Sequence, residues 1–159
     1  MKLYHGSYFP VEKPDISFSR DKVDFGKGFY TTPLWEQAES WAKRFRRTHG
    51  QSVISTYEVN MKALQGEAMI LTFEEYSDEW LDFIYNSRNG RNVRGYDIVI
   101  GGVANDRVFN ALSLYEAGWI DKAEAIKRLR YEDPSIQYCF RNQDIIDKYL
   151  LFVEGEVVK

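Results

Sequence analysis

The apolar runs of this chain are short, and that limits its fold more than any other feature. Residues 2–4, 28–31, 68–72, 97–100 and 135–140 read as strands, with a last one at 149–153. The stretch 52–60 alternates in the strand manner and is rich in β-branched and aromatic residues. Gly6 follows the first run, Gly101-Gly102 close the run at 97–100, and Pro134 precedes the run at 135–140. Between them lie segments with helical spacing. One is expected from Thr32, as cap with Pro33 at the first helical position, to about Thr48, with Gly50 as its stop. Others are expected over 73–87, over 105–117 with Asn105 or Asp106 as cap, over 121–129, and from Asn142 to about Lys148. Short strands with helices scattered among them indicate an α+β fold. The 159 residues suit a single domain, 1–159.

No apolar run approaches the roughly 20 residues of a membrane span, and no signal-peptide pattern opens the chain. A cytoplasmic protein with no membrane partner is therefore expected. The one cysteine, Cys139, rules out an internal disulfide and fits a reducing compartment. A net charge of −3 argues against a broadly nucleic-acid-binding surface. Two histidines and one cysteine without ligand spacing give no metal site. The glycines at 26 and 28 form neither a Rossmann fingerprint nor a phosphate-binding loop, since no Gly-x-Gly-x-x-Gly and no Gly-Lys-Ser/Thr exists.

Four segments stand apart from this background. Tyr4-His5-Gly6-Ser7 ends the first strand, where glycine lets a ligand near the backbone and histidine offers a hydrogen bond. Asp24-Phe25-Gly26-Lys27-Gly28-Phe29-Tyr30 leads into the second strand. Trp41 follows Tyr30 by eleven residues on the expected helix. Gln137 opens Gln137-Tyr138-Cys139-Phe140, where strand alternation puts Gln137 and Cys139 on one face. A glutamine in an interior strand needs hydrogen-bond partners. The irregular 8–23 segment, with Pro10 and Pro14, is long for a loop without a task.

In this order and spacing, these segments resemble the His-Tyr-Glu class of ADP-ribosyltransferases, which includes diphtheria toxin and the poly-ADP-ribose polymerases. With Gln37-Ala38-Glu39-Ser40-Trp41-Ala42 and Asp97 to Asp106, the chain is similar throughout to a bacterial family of that superfold, catalogued as a domain of unknown function and often encoded beside a small partner. The resemblance implies a split β-sandwich with peripheral helices and NAD as co-substrate in the cleft, with no metal. It implies His5, Tyr30 and Gln137 as catalytic residues. It implies NAD contacts from His5 to a ribose hydroxyl, from the Gly6 backbone to the nicotinamide amide, and from Tyr30 and Trp41 to the two faces of its ring. Arg20, on the loop over the donor, is implied to meet the pyrophosphate. Ala38 replaces a serine that touches the amide in the polymerases. Gln137 stands where the class often has a glutamate, so Gln137→Glu is expected to keep activity. Mono-ADP-ribosylation of a macromolecule, protein or nucleic acid, by a bacterial toxin with a small antitoxin partner is the implied function. An NAD glycohydrolase and a catalytically silent binding module of the same fold are the alternatives.

Overall fold

The computed structural model describes residues 1–91, 93–106 and 110–159. Two sheets carry the fold. The first is antiparallel, with β3 (Ser52–Glu58) between β1 (Lys2–Ser7) and β7 (Leu151–Val158). The second has the order β2 (Phe29–Thr31), β6 (Gln137–Phe140), β5 (Ile98–Gly101), β4 (Ile70–Thr72), antiparallel except for the parallel β4–β5 pair. The architecture is α+β, as the run lengths require.

Alternation along the strands sorts the core into layers. Leu3 and Tyr57 of the first sheet meet Ile98, Ile100 and Phe140 of the second. On the opposite face of the second sheet, Val99 and Cys139 pack with Trp80 and Phe83 of α3 (Asp78–Arg88), Leu112 of α4 (Ala111–Glu116) and Leu129 of α5 (Lys122–Leu129). The outer face of the first sheet is covered by α1 (Trp35–His49), whose Ala38 and Ala42 bury against Ile54. Two short helices complete the chain: α2 (Met61–Gln65), absent from the sequence reading, and α6 (Gln143–Tyr149). Asn60, Ser77, Asp121 and Asn142 each accept from a backbone N–H at a helix start, so side-chain capping fixes the starts of α2, α3, α5 and α6.

Several boundaries differ from the sequence reading: the helix expected over 73–87 begins only at Asp78, after its Ser77 cap, and the last strand, expected over 149–153, runs over Leu151–Val158. Three others have a clear physical reason. The first strand continues through His5 and Gly6 to Ser7 because all six residues pair with β3. Helix α1 starts at Trp35 rather than Pro33. Thr32 exchanges two backbone hydrogen bonds with Tyr4, at 2.8 and 2.9 Å, which holds it extended, as Pro33 also favours for the residue before it. Its hydroxyl accepts from the Leu34 N–H within the turn instead. Helix α4 begins only at Ala111, after Asn110 in the left-handed region (φ 49°), and Asp106 accepts from the Ala111 N–H at 2.6 Å. Residues 107–109 of the segment expected to be helical lie outside the described residues.

Candidate active site

The Tyr4–Thr32 bridge joins the two sheets, and beyond it β1 and β2 separate. Antiparallel geometry gives the groups at the point of separation. Tyr4 turns its N–H and C=O toward β2, so Gly6, two residues on, turns its own the same way. By the same alternation Tyr30 faces β1, two residues before Thr32. Ladder pairing would next join Gly6 to Tyr30. Instead the Tyr30 carbonyl accepts from His5 Nδ1 at 2.7 Å, and no described residue pairs with the Gly6 N–H or C=O. The split therefore leaves a backbone donor and acceptor side by side without a partner among the described residues, although Gly6 itself is buried.

A cleft of about 1160 Å³ opens there, somewhat larger than the roughly 300–1,000 Å³ common for small-ligand pockets. His5, Gly6, Arg20, Tyr30, Trp41 and Gln137 all border it. Every sequence-derived candidate is thus brought to one place, from three strands, one helix and one loop. Ala38 is not among them; it is fully buried beneath Gly6.

Gly6 has a second task that the sequence reading did not assign to it. A Cβ at this position would lie 2.3 Å from the Ala38 carbonyl oxygen and 2.6 Å from the Ala42 nitrogen. Close crossing of α1 over β1 requires glycine whether or not a ligand binds. Likewise a Cβ on Gly28 would meet Cys139 Sγ and the Phe140 carbonyl, so that glycine lets the turn close onto β6.

His5 is half-buried, with its ring 4.4 Å from that of Phe29. A carbonyl can only accept, so Nδ1 carries the proton. Burial lowers the His5 pKa, only partly opposed by the hydrogen bond to the Tyr30 carbonyl. The neutral ring then offers Nε2 as an acceptor. A lowered folded pKa means that the unfolded chain takes the proton first. This contribution to stability is complete above about 6.5, the ordinary histidine value, and is lost as pH falls below it. Urea midpoints at pH 7.5 and pH 5 should show a smaller acid loss in His5→Gln than in the parent. An equal loss in both would assign it to another group.

The Tyr30 hydroxyl is not available to a ligand. It accepts from the Phe25 N–H at 3.0 Å and donates to the Gly26 carbonyl at 2.6 Å, closing the turn in which Gly26 has φ 76°. Burial, and then the neighbouring Cys139, raise its pKa well above the ordinary value. Only the Tyr30 ring can serve the cleft. Cys139 is also unsuited to attack, because burial pushes its thiol up to about 12.

The structure adds a group that the sequence reading left without a role. Gln137, 3% exposed, donates through Nε2 to Asp24 at 2.9 Å and more weakly to the Gly102 carbonyl at 3.5 Å. Asp24, 8% exposed, also accepts from Arg88 Nε and Nη2, at 3.0 and 2.6 Å, and from the Ala104 N–H at 2.9 Å. Arg88 reaches on to Asp106 at 3.2 Å. Among the described residues this cluster ties two carboxylates, Asp24 and Asp106, to the Arg88 guanidinium, and Lys13, Arg20, Lys22 and Arg44 also border the cleft. The only sequence signal was indirect: an interior glutamine needs partners, and Asp24 opened the glycine-flanked motif.

Also bordering the cleft, the Tyr8 ring lies flat on His49, with centroids 3.9 Å apart and planes at 16°. Among the described residues no group of three or more His, Cys, Asp or Glu is placed to hold a metal ion, and no helix is long and apolar enough to cross a membrane.

A family model described as "Protein of unknown function (DUF3990)" matches residues 1–152. The chain belongs to that family. The match spans every residue that borders the cleft. No curated protein and no solved structure matches the chain.

Proposed function

We propose that this member of the family is an NAD-dependent mono-ADP-ribosyltransferase with an ADP-ribosyltransferase-like split β-sandwich. The observation that carries the reading is the Gly6 backbone. Its N–H and C=O have no partner among the described residues at the split of the sheets, in a cleft shared with the Tyr30 and Trp41 rings, and a carboxamide needs one donor and one acceptor side by side. A flat ring bearing that amide would rest against the aromatic faces. His5 Nε2 would accept from a ribose hydroxyl, and Arg20 on the 8–23 loop would meet the pyrophosphate.

The reaction breaks the bond between ribose C1′ and the nicotinamide nitrogen. The ring is cationic in NAD and leaves neutral, taking the bond electrons, so no general acid is required. Positive charge builds on the ribose, and the Asp24 carboxylate behind Gln137 would favour it. An acceptor nucleophile on a protein or nucleic acid then bonds to C1′ and releases its proton. Action as a bacterial toxin in the cytoplasm, restrained by a small antitoxin, rests on the family resemblance alone.

Incubation with NAD should release nicotinamide, and NAD should quench tryptophan fluorescence. Trp41→Ala should remove most of the quench with little change in the melting temperature. A full quench in that variant would take Trp41 out of the site. A second reading, a silent binding module, is favoured by one observation: both hydrogens of the Gln137 amide are already directed at protein acceptors. Absence of nicotinamide release with every acceptor fraction of a lysate, despite NAD binding, would select it.

A further inference from the structure

We infer that Asp24 is a positioning residue that orients the Gln137 amide so that Oε1 faces the cleft as a hydrogen-bond acceptor. The inference rests on the transferase reading for its function, but its geometry stands apart from it. A glutamine side chain can sit either way round, with oxygen and nitrogen exchanged. Here the neighbours decide. The Asp24 carboxylate and the Gly102 carbonyl both only accept, and both face Nε2. The reverse orientation would lose both hydrogen bonds and set oxygen against oxygen. No described residue donates to Oε1, and Gln137 borders the cleft.

Asp24 is itself held in place. Its Oδ1 accepts two bonds from Arg88, and its Oδ2 accepts from Ala104 as well as Gln137. Arg88 is tied in turn to Asp106. Supports from α3, from the segment after β5 and from the turn before β2 therefore converge on one amide. Such outer contacts are what hold a reacting geometry within a fraction of an ångström.

The consequence concerns the reaction. An oxygen aimed at the cleft accepts from a ribose hydroxyl as a glutamate oxygen would. The neutral side chain thus keeps the hydroxyl contact while the negative charge sits one residue behind it. Asp24 acts through Gln137 and touches no reacting atom.

The test uses the full chain, NAD as substrate and four proteins: the parent, Asp24→Asn, Gln137→Ala and the double variant. Gln137→Ala should lower kcat for nicotinamide release on the order of 10²-fold, as for loss of one transition-state hydrogen bond. Asp24→Asn should lower it about tenfold or more in the parent background and less than about twofold in the Gln137→Ala background. Equal losses in both backgrounds would show a merely structural role and overturn the inference, as would an Asp24→Asn enzyme with parental kcat.

A second measurement is independent of turnover. The side-chain amide protons of Gln137, assigned by their absence in Gln137→Ala, should exchange slowly in the parent and faster in Asp24→Asn. Fast exchange in the parent would overturn the orientation itself. A parent that releases no nicotinamide but protects this amide would remove the enzyme reading and leave the orientation standing. If Asp24→Asn fails to fold, Arg88→Lys, which leaves Asp24 Oδ1 with fewer donors, should show the same dependence on Gln137 in weaker form.

Discussion

Gln137→Glu should destabilise the protein, and more at pH 8 than at pH 5. The substitution sets a second carboxyl against Asp24 Oδ2, where an amide donor now lies at 2.9 Å. Two ionised carboxylates cannot share that distance, so one takes up a proton and its folded pKa rises. The sign follows from linkage. A carboxyl raised in the folded state above its unfolded value of about 4.3 contributes stability below that value, and the contribution is lost as pH rises through the folded pKa. Arg88 and Asp106 face the pair from α3 and from the 102–106 segment, while Tyr30 and Cys139 lie beside it; the Arg88 guanidinium already serves two carboxylates. At pH 8 the loss should be on the order of 3 kcal/mol or more, the scale of an uncompensated buried charge. Urea midpoints at the two pH values check this. A variant as stable as the parent at both would show that position 137 does not face Asp24. The expectation drawn from family resemblance, that a glutamate here keeps activity, assumed a place for the charge that Asp24 already occupies.

Gly6→Ala should be strongly destabilising. Both nearest atoms, the Ala38 oxygen at 2.3 Å and the Ala42 nitrogen at 2.6 Å, are helix backbone, so no side chain can swing aside. Either α1 lifts from β1 or the strand leaves its register with β3. Overpacking usually costs about 1–3 kcal/mol, and a clash with two fixed backbone atoms belongs at the upper end or beyond. Gly66→Ala is the control: a Cβ there finds only the Ala63 oxygen, at 3.8 Å, and its effect should stay within about 0.5 kcal/mol. Chemical denaturation of the three proteins makes the comparison. If Gly6→Ala folds with parental stability and loses only NAD binding, ligand access rather than helix packing is what glycine provides.

Much of the fold was legible locally. Capping by Ser, Asp and Asn acts over three or four residues, so Asp121 and Asn142 marked their helices correctly, and Gly50 (φ 80°) marked the end of α1. Continuous apolar content marked β5 as buried, and its residues are. Asn60 carried the same kind of signal for α2, but five residues of helix leave too little periodicity to read. Residues 154–158 of β7 show no apolar alternation, since Glu154, Gly155 and Glu156 interrupt it; what makes them a strand is the ladder offered by β3.

The candidate site divides in the same way. His5, Gly6, Tyr30, Trp41 and Gln137 could be named from the sequence because each sits in a short motif whose residue types suggest a task. What each residue does in the fold was decided by contacts across long separations. Gly6 answers to α1, the Tyr30 hydroxyl to its own turn, and Gln137 to Asp24, 113 residues away. Sequence specifies what a residue can donate, accept or bury, and local spacing specifies which helix or strand carries it. Only the packed structure decides which of those bonds are already taken, and therefore which atoms remain to face a ligand.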